Sequence, residues 1–90
     1  MVKVYRNKEG KKLYPVCSWA NNQHKLYNAL DRAKIWEFES DYSEEASAEV
    51  DELDRLIEVF DSQIVGCIVY ATWEDYKKIK DYIAAYDARH

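Results

Sequence analysis

Glycine and proline are nearly absent, at two and one in 90 residues. Few tight turns are therefore available, and the elements between them should be long. Only Cys17 and Cys67 carry thiols, which excludes the disulfide framework that staples many small secreted domains and leaves both as reduced residues. Long apolar runs are missing as well. The longest, Ile64 to Ala71, is interrupted by Gly66 and falls far short of the ~18–20 residues of a membrane span. The opening Met-Val-Lys-Val-Tyr lacks the apolar core of a secretory signal, so a cytoplasmic protein is expected, with no membrane partner. No glycine-rich phosphate loop, CxxC pair or HxxxH pair occurs. The chain fits one domain, 1–90.

What is present suffices for a core. Leu, Ile, Val and Phe supply 20 residues, with eight Tyr and three Trp besides, just above the roughly 20% aliphatic-plus-Phe level below which charged chains are disordered. The net charge of −4 conceals a strong division. Residues 1–36 hold eight basic side chains against Glu9 and Asp31, whereas residues 37–61 hold eleven acids against Arg55 alone. A net-acidic chain is a poor general nucleic-acid binder, because phosphates need neutralising, so no direct nucleic-acid binding is expected. The basic N-terminal third leaves room for a local basic patch.

Val2 to Tyr5 alternates weakly and meets the turn cluster Asn7-Lys8-Glu9-Gly10; 12–19 then reads as the return strand of a hairpin. Pro15 has no N–H to donate and places that strand at a sheet edge or a strand start. Asn21 or Asn22 can cap a first helix, carried by Leu26, Ala29, Leu30, Ala33 and Trp36 to about residue 38. The segment 34–39 also alternates as a short strand would. Ser43 can cap a second helix, with Glu44 and Glu45 at its positive end and Ala46, Val50, Leu53, Ile57 and Phe60 as its apolar stripe. Residues 63–71, apolar on both parities, read as one central strand covered on both faces. Thr72 and Asp75 then suggest a capping box for a last helix, which buries Trp73, Tyr76, Ile79, Ile83 and Tyr86. The expected order is ββααβα: an α+β domain with a three-stranded antiparallel sheet. Its core should hold Val4, Leu30, Val50, Leu53, Ile57, Phe60, Val65, Ile68, Val69, Ile79 and Ile83.

The Cys and His inventory is Cys17, His24, Cys67 and His90, two thiolates and two imidazoles that would match a tetrahedral zinc site. Their spacing does not follow a zinc-finger pattern, and buried free cysteines behave as small apolar residues. No cofactor is expected, with zinc as the alternative. A Cys17–His24 nucleophilic pair oriented by Asp31 has no oxyanion-hole glycine near it. The carboxylates of 37–61 sit on a solvated face, where none is desolvated for acid–base work. An enzyme is not expected.

The acids themselves make the candidate site. Glu44, Glu45, Asp51, Glu52, Asp54, Glu58 and Asp61 spread along one helical surface, with Tyr42 beside them. Such a row imitates phosphates and can fill a groove lined by Lys and Arg. Surplus aromatics offer a second surface, Tyr and Trp being favoured interface anchors; Tyr27, Tyr42 and Tyr82 fall off the apolar stripes.

The segment Lys12-Leu13-Tyr14-Pro15-Val16-Cys17-Ser18-Trp19, continued by Asn22-Gln23-His24-Lys25-Leu26-Tyr27-Asn28, looks like segments of small proteins from bacterial phages and mobile elements. In size, acidity and lack of catalytic motifs the whole chain is similar to the anti-CRISPR class. That class shares neither motif nor fold, so the resemblance is one of kind and carries over no residue roles. It implies direct binding to a bacterial effector nuclease, with guide, DNA or conformational access blocked. The basic N-terminal third departs from a pure DNA mimic. The expected function is inhibition of a bacterial defence nuclease, or another basic DNA-handling protein, within the host cytoplasm. The alternative is a toxin–antitoxin or regulatory interaction module, in a zinc-stabilised form or without metal.

Overall fold

The computed structural model describes residues 4–39 and 44–89, the side chains of 36–39 excepted. Seven elements follow one another: β1 (Tyr5–Arg6), β2 (Lys12–Ser18), α1 (Trp19–Glu39), α2 (Glu44–Ser62), β3 (Ile64–Val65), β4 (Ile68–Ala71) and α3 (Trp73–Arg89). The sheet is antiparallel in the order β1-β2-β4-β3. The class is α+β as expected, but with four strands among the described residues instead of three.

The extra strand comes from Gly66. Its φ of 65° lies in the left-handed region that glycine enters freely, and it turns the chain tightly. The expected single strand over 63–71 is thereby folded into the β3–β4 hairpin, with Val65 opposite Ile68. Val69 and Ala71 point into the helices, while Ile68 and Val65 face outward and are exposed, because successive side chains alternate across a sheet. The expectation that both faces are covered is corrected: Val65 and Ile68 leave the core, as does the exposed Val4.

At the other hairpin, Asn7 organises the turn. Its Oδ1 accepts from the backbone N–H groups of Glu9 and Lys11 at 3.0 and 2.9 Å, and Gly10 adopts a φ of 81°. β2 is an interior strand with Pro15 in its middle, neither the edge strand nor the strand start expected for it. Among the described residues, however, β1 pairs only with Lys12 and Leu13, and the β2–β4 register shifts between Pro15 and Cys17. Val16 is the additional residue of that bulge, and bulges are where a strand tolerates proline.

α1 begins at Trp19, earlier than a cap at Asn21 or Asn22 allows. The strand runs straight into the helix because the Trp19 N–H donates to the Cys67 carbonyl of the neighbouring hairpin at 2.9 Å. Asn22 instead donates its side-chain amide back to the Ser18 carbonyl at 2.9 Å. Residues 34–39 are helical. α2 carries Glu44 and Glu45 in its first turn; the proposed Ser43 cap lies outside the described residues. Its buried stripe is Ala46, Leu53, Leu56 and Phe60, rotated from the expected one, so that Val50 and Ile57 are half-buried.

The core has two joined parts. Val16, Leu26, Leu56, Phe60, Val69, Ala71, Ile79 and Ile83 form the larger, and Leu30, Ala33 and Leu53 the smaller, with Ile57 and Tyr82 packed against both. No helix among the described residues is long and apolar enough to cross a membrane.

Candidate functional site

The acidic helix presents its carboxylates in three groups. At about 100° per residue, Glu44, Asp51 and Glu58 recur every second turn on one line, with Asp54 beside them. These four and Glu45 are exposed, and no ion pair engages any of them among the described residues.

Glu52 belongs to the fold instead. One of its oxygens takes Arg55 Nη2 and Lys78 Nζ, both at 2.7 Å. These donors, Arg55 first, hold the Glu52 carboxyl far below its ordinary range, at about 2. Arg55 turns its other edge to Asp75, reaching Oδ1 at 2.8 Å and Oδ2 at 3.1 Å. Asp75 therefore does not complete the expected capping box. Its backbone N–H lies 3.4 Å from Thr72 Oγ1, but its carboxylate clamps α3 to α2.

Asp61 is occupied at the opposite flank. Trp19 Nε1 donates to it at 2.9 Å, and the Tyr27 hydroxyl donates to its second oxygen. This ties the start of α1 to the end of α2, the arrangement of an antiparallel helical pair. The bond to Asp61 also raises the Tyr27 phenol above its ordinary value, since it favours the protonated form. Asp61→Ala should lower the Tyr27 titration point toward that value and cost about 1 kcal/mol of stability; absorbance titration at alkaline pH and urea unfolding measure the two effects.

The expected seven-carboxylate array is thus reduced to Glu44, Glu45, Asp51, Asp54 and Glu58, because neighbouring cations and ring donors consume Glu52 and Asp61. Tyr42 lies outside the described residues. Tyr82, expected to be exposed, is half-buried, and its phenol is raised mainly by that burial and then by Glu49 and Glu52.

The zinc candidates do not converge where they are described. No group of three His, Cys, Asp or Glu placed to hold a metal occurs among the described residues, and His90 lies outside them. Cys67 is exposed at the β3–β4 turn, while His24 meets the Tyr86 ring edge-on at 5.4 Å. Burial pushes the Cys17 thiol up, against the smaller opposing influence of Lys80 and Lys25. That is the reverse of what an activated thiolate requires.

A groove of about 690 Å³ opens between α1 and α3. Lys25, Arg32 and Arg89 line it together with Asp31 and Glu49, and Lys25 is bound to Asp87 at 2.7 Å. Its mixed signs select no particular ligand charge.

The helical spacing predicts a buried Trp73, yet Trp73 is 52% exposed. It forms a ring ladder with Tyr14 and Tyr76, flanked by Lys12 and Lys80. The helical spacing of Trp73, Tyr76 and Lys80 was available in the sequence, but the pairing with Tyr14 depends on β2 lying beside α3. In comparisons with known proteins, no family model matches the chain, and no curated protein or solved structure is similar to it.

Proposed function

We propose that the protein is an inhibitor that acts by direct binding, docking the outer face of α2 on the basic groove of a DNA-handling protein and blocking DNA access. The partner class is a bacterial defence nuclease, with a CRISPR effector as the first to test. The observation that carries this reading is the row of exposed carboxylates, Glu44, Glu45, Asp51, Asp54 and Glu58, left without ion pairs among the described residues. A solvated helix gains nothing in stability from such unrelieved like charge, whereas a groove built for phosphates is complementary to it.

The decisive variant combines Asp51→Lys, Asp54→Lys and Glu58→Lys. Glu52 stays unchanged, because reversing it would break the contacts to Arg55 and Lys78 and confuse folding with binding. Capture from a bacterial lysate identifies the nuclease, and DNA cleavage by it reports inhibition. The wild-type chain should compete with DNA, with affinity falling steeply as salt rises. The triple variant should keep its far-UV circular dichroism and lose about a hundredfold or more in affinity. Undiminished inhibition by that variant would sink the acidic-face reading.

One observation favours the regulatory-module alternative, in which two copies associate. Val65, in the two-residue edge strand β3, and Ile68 opposite it lie exposed on the outer face of the sheet. Light scattering separates the two readings: the inhibitor reading expects the free chain to be monomeric, and a salt-insensitive dimer disrupted by Ile68→Lys would support the alternative.

A further inference from the structure

Trp73, Tyr76, Lys77 and Lys80 recur at i, i+3, i+4 and i+7 of α3, so they share one face of the helix. The Trp73 and Tyr76 rings stack in parallel, with centroids 5.1 Å apart and planes 9° from each other. Tyr14 of β2 meets Trp73 edge-on at 5.5 Å. A lysine stands at each end: Lys12 Nζ is 4.9 Å from the Tyr14 centroid, and Lys80 Nζ is 5.8 Å from that of Tyr76. Lys12, Lys77 and Lys80 are exposed, and no ion pair holds them among the described residues. Of the acids on the same helix, Glu74 and Asp81 project about a quarter-turn away from the Trp73 line, Asp75 is held by Arg55, and Asp87 pairs with Lys25 near the far end.

We propose that this ladder is a stacking platform for single-stranded nucleic acid. The exposed Trp73 ring offers a π surface to an unstacked base, and Tyr76 and Tyr14 hold it in place before the ligand arrives, which reduces the ordering cost of binding. The flanking lysines are long and mobile, so they can leave the outer tyrosine faces to neutralise phosphates on either side. A duplex keeps its base faces inside its own stack, so the platform selects single strands. Charge favours this occupant over a protein segment, because cations at both ends of a ring ladder match a polymer bearing an anion and a ring in every unit. Further basic side chains, Arg6 and Lys8, stand exposed on the adjoining hairpin. The site departs from the expectation that an acidic chain avoids nucleic acid: eight of the 17 acids lie on α2, whereas the rings and lysines of the platform stand on β2 and α3. It stands independently of the acidic-face docking.

Fluorescence polarisation of labelled oligothymidylate and oligouridylate, with the full chain at low salt, tests the proposal. Wild type should bind both with little sequence preference and bind a duplex of equal length more weakly. Trp73→Ala should lose about tenfold to a hundredfold in affinity, and Trp73→Phe should recover part of it. Lys12→Gln with Lys80→Gln should reduce the slope of log affinity against log salt by about 0.7 for each lysine. Circular dichroism confirms that the variants fold, which the exposure of these side chains favours. Absence of oligonucleotide binding at low salt would overturn the proposal. Binding that responds to the lysines but not to Trp73→Ala would also overturn it, showing attraction without stacking. Loss of a captured protein partner from Trp73→Ala, with no oligonucleotide bound by wild type, would reassign the ladder to protein recognition.

Discussion

Leu56→Ala should lower the free energy of unfolding by about 3–4 kcal/mol, and Ile57→Ala by about half as much. The two residues are adjacent on α2, but Leu56 is fully buried and Ile57 only partly. Leu56 belongs to the larger core with Leu26, Phe60 and Val69, where truncation leaves a cavity that packed neighbours cannot refill. Ile57 borders the seam between the two core parts, so solvent and nearby side chains can relax into the vacated space. A domain of this size has only about 5–10 kcal/mol of total stability, so the Leu56 variant should melt about 15 °C lower. Urea unfolding of both variants checks the ranking. Equal costs would mean that α2 is rotated back toward the stripe read from its sequence.

Arg55→Met should cost about 2–3 kcal/mol, an unusually large effect for a side chain that is 44% exposed. The reason is Asp75, which is 9% exposed and receives two of the Arg55 bonds. Removing the guanidinium strands a nearly buried carboxylate. The discount from a fully buried pair reflects water reaching Arg55. Asp75→Asn in the Arg55→Met background should recover part of the loss by removing the stranded charge, and a double-mutant cycle in urea measures the coupling.

The same cluster sets an acid limit. Glu52 has a folded value of about 2 against an ordinary 4.5, so its contribution is present above about pH 4.5 and disappears as pH falls toward 2. Wild type and Glu52→Gln should therefore differ in urea midpoint at neutral pH and converge near pH 2. A difference that persists unchanged at that pH would show that the two proteins differ for a reason other than the titration of Glu52.

Much of this architecture is carried by local sequence signals. The Asn7-to-Gly10 turn, the helical spacing of α1, the acid-rich start of α2 and the threonine before α3 each act over a few residues, where backbone sterics and first-turn hydrogen bonding dominate. The α+β class follows from them, and so does the concentration of negative charge on one helix. Tertiary structure decided what local spacing could not. The apolar run 63–71 reads as one strand by its spacing, and only the pairing of Val65 with Ile68 across Gly66 makes it a hairpin. The stripe of α2 was set by the elements it packs on, because Leu56 and Ile57 are both apolar and only burial distinguishes them. The fate of each acid was likewise settled over long separations. Glu52 and Asp61 share the residue types of Asp51 and Glu58, but Lys78 lies 26 residues from Glu52 and Trp19 lies 42 from Asp61. Composition placed the charge on the chain; packing determined which carboxylates hold the fold together and which remain exposed on the outer face of α2.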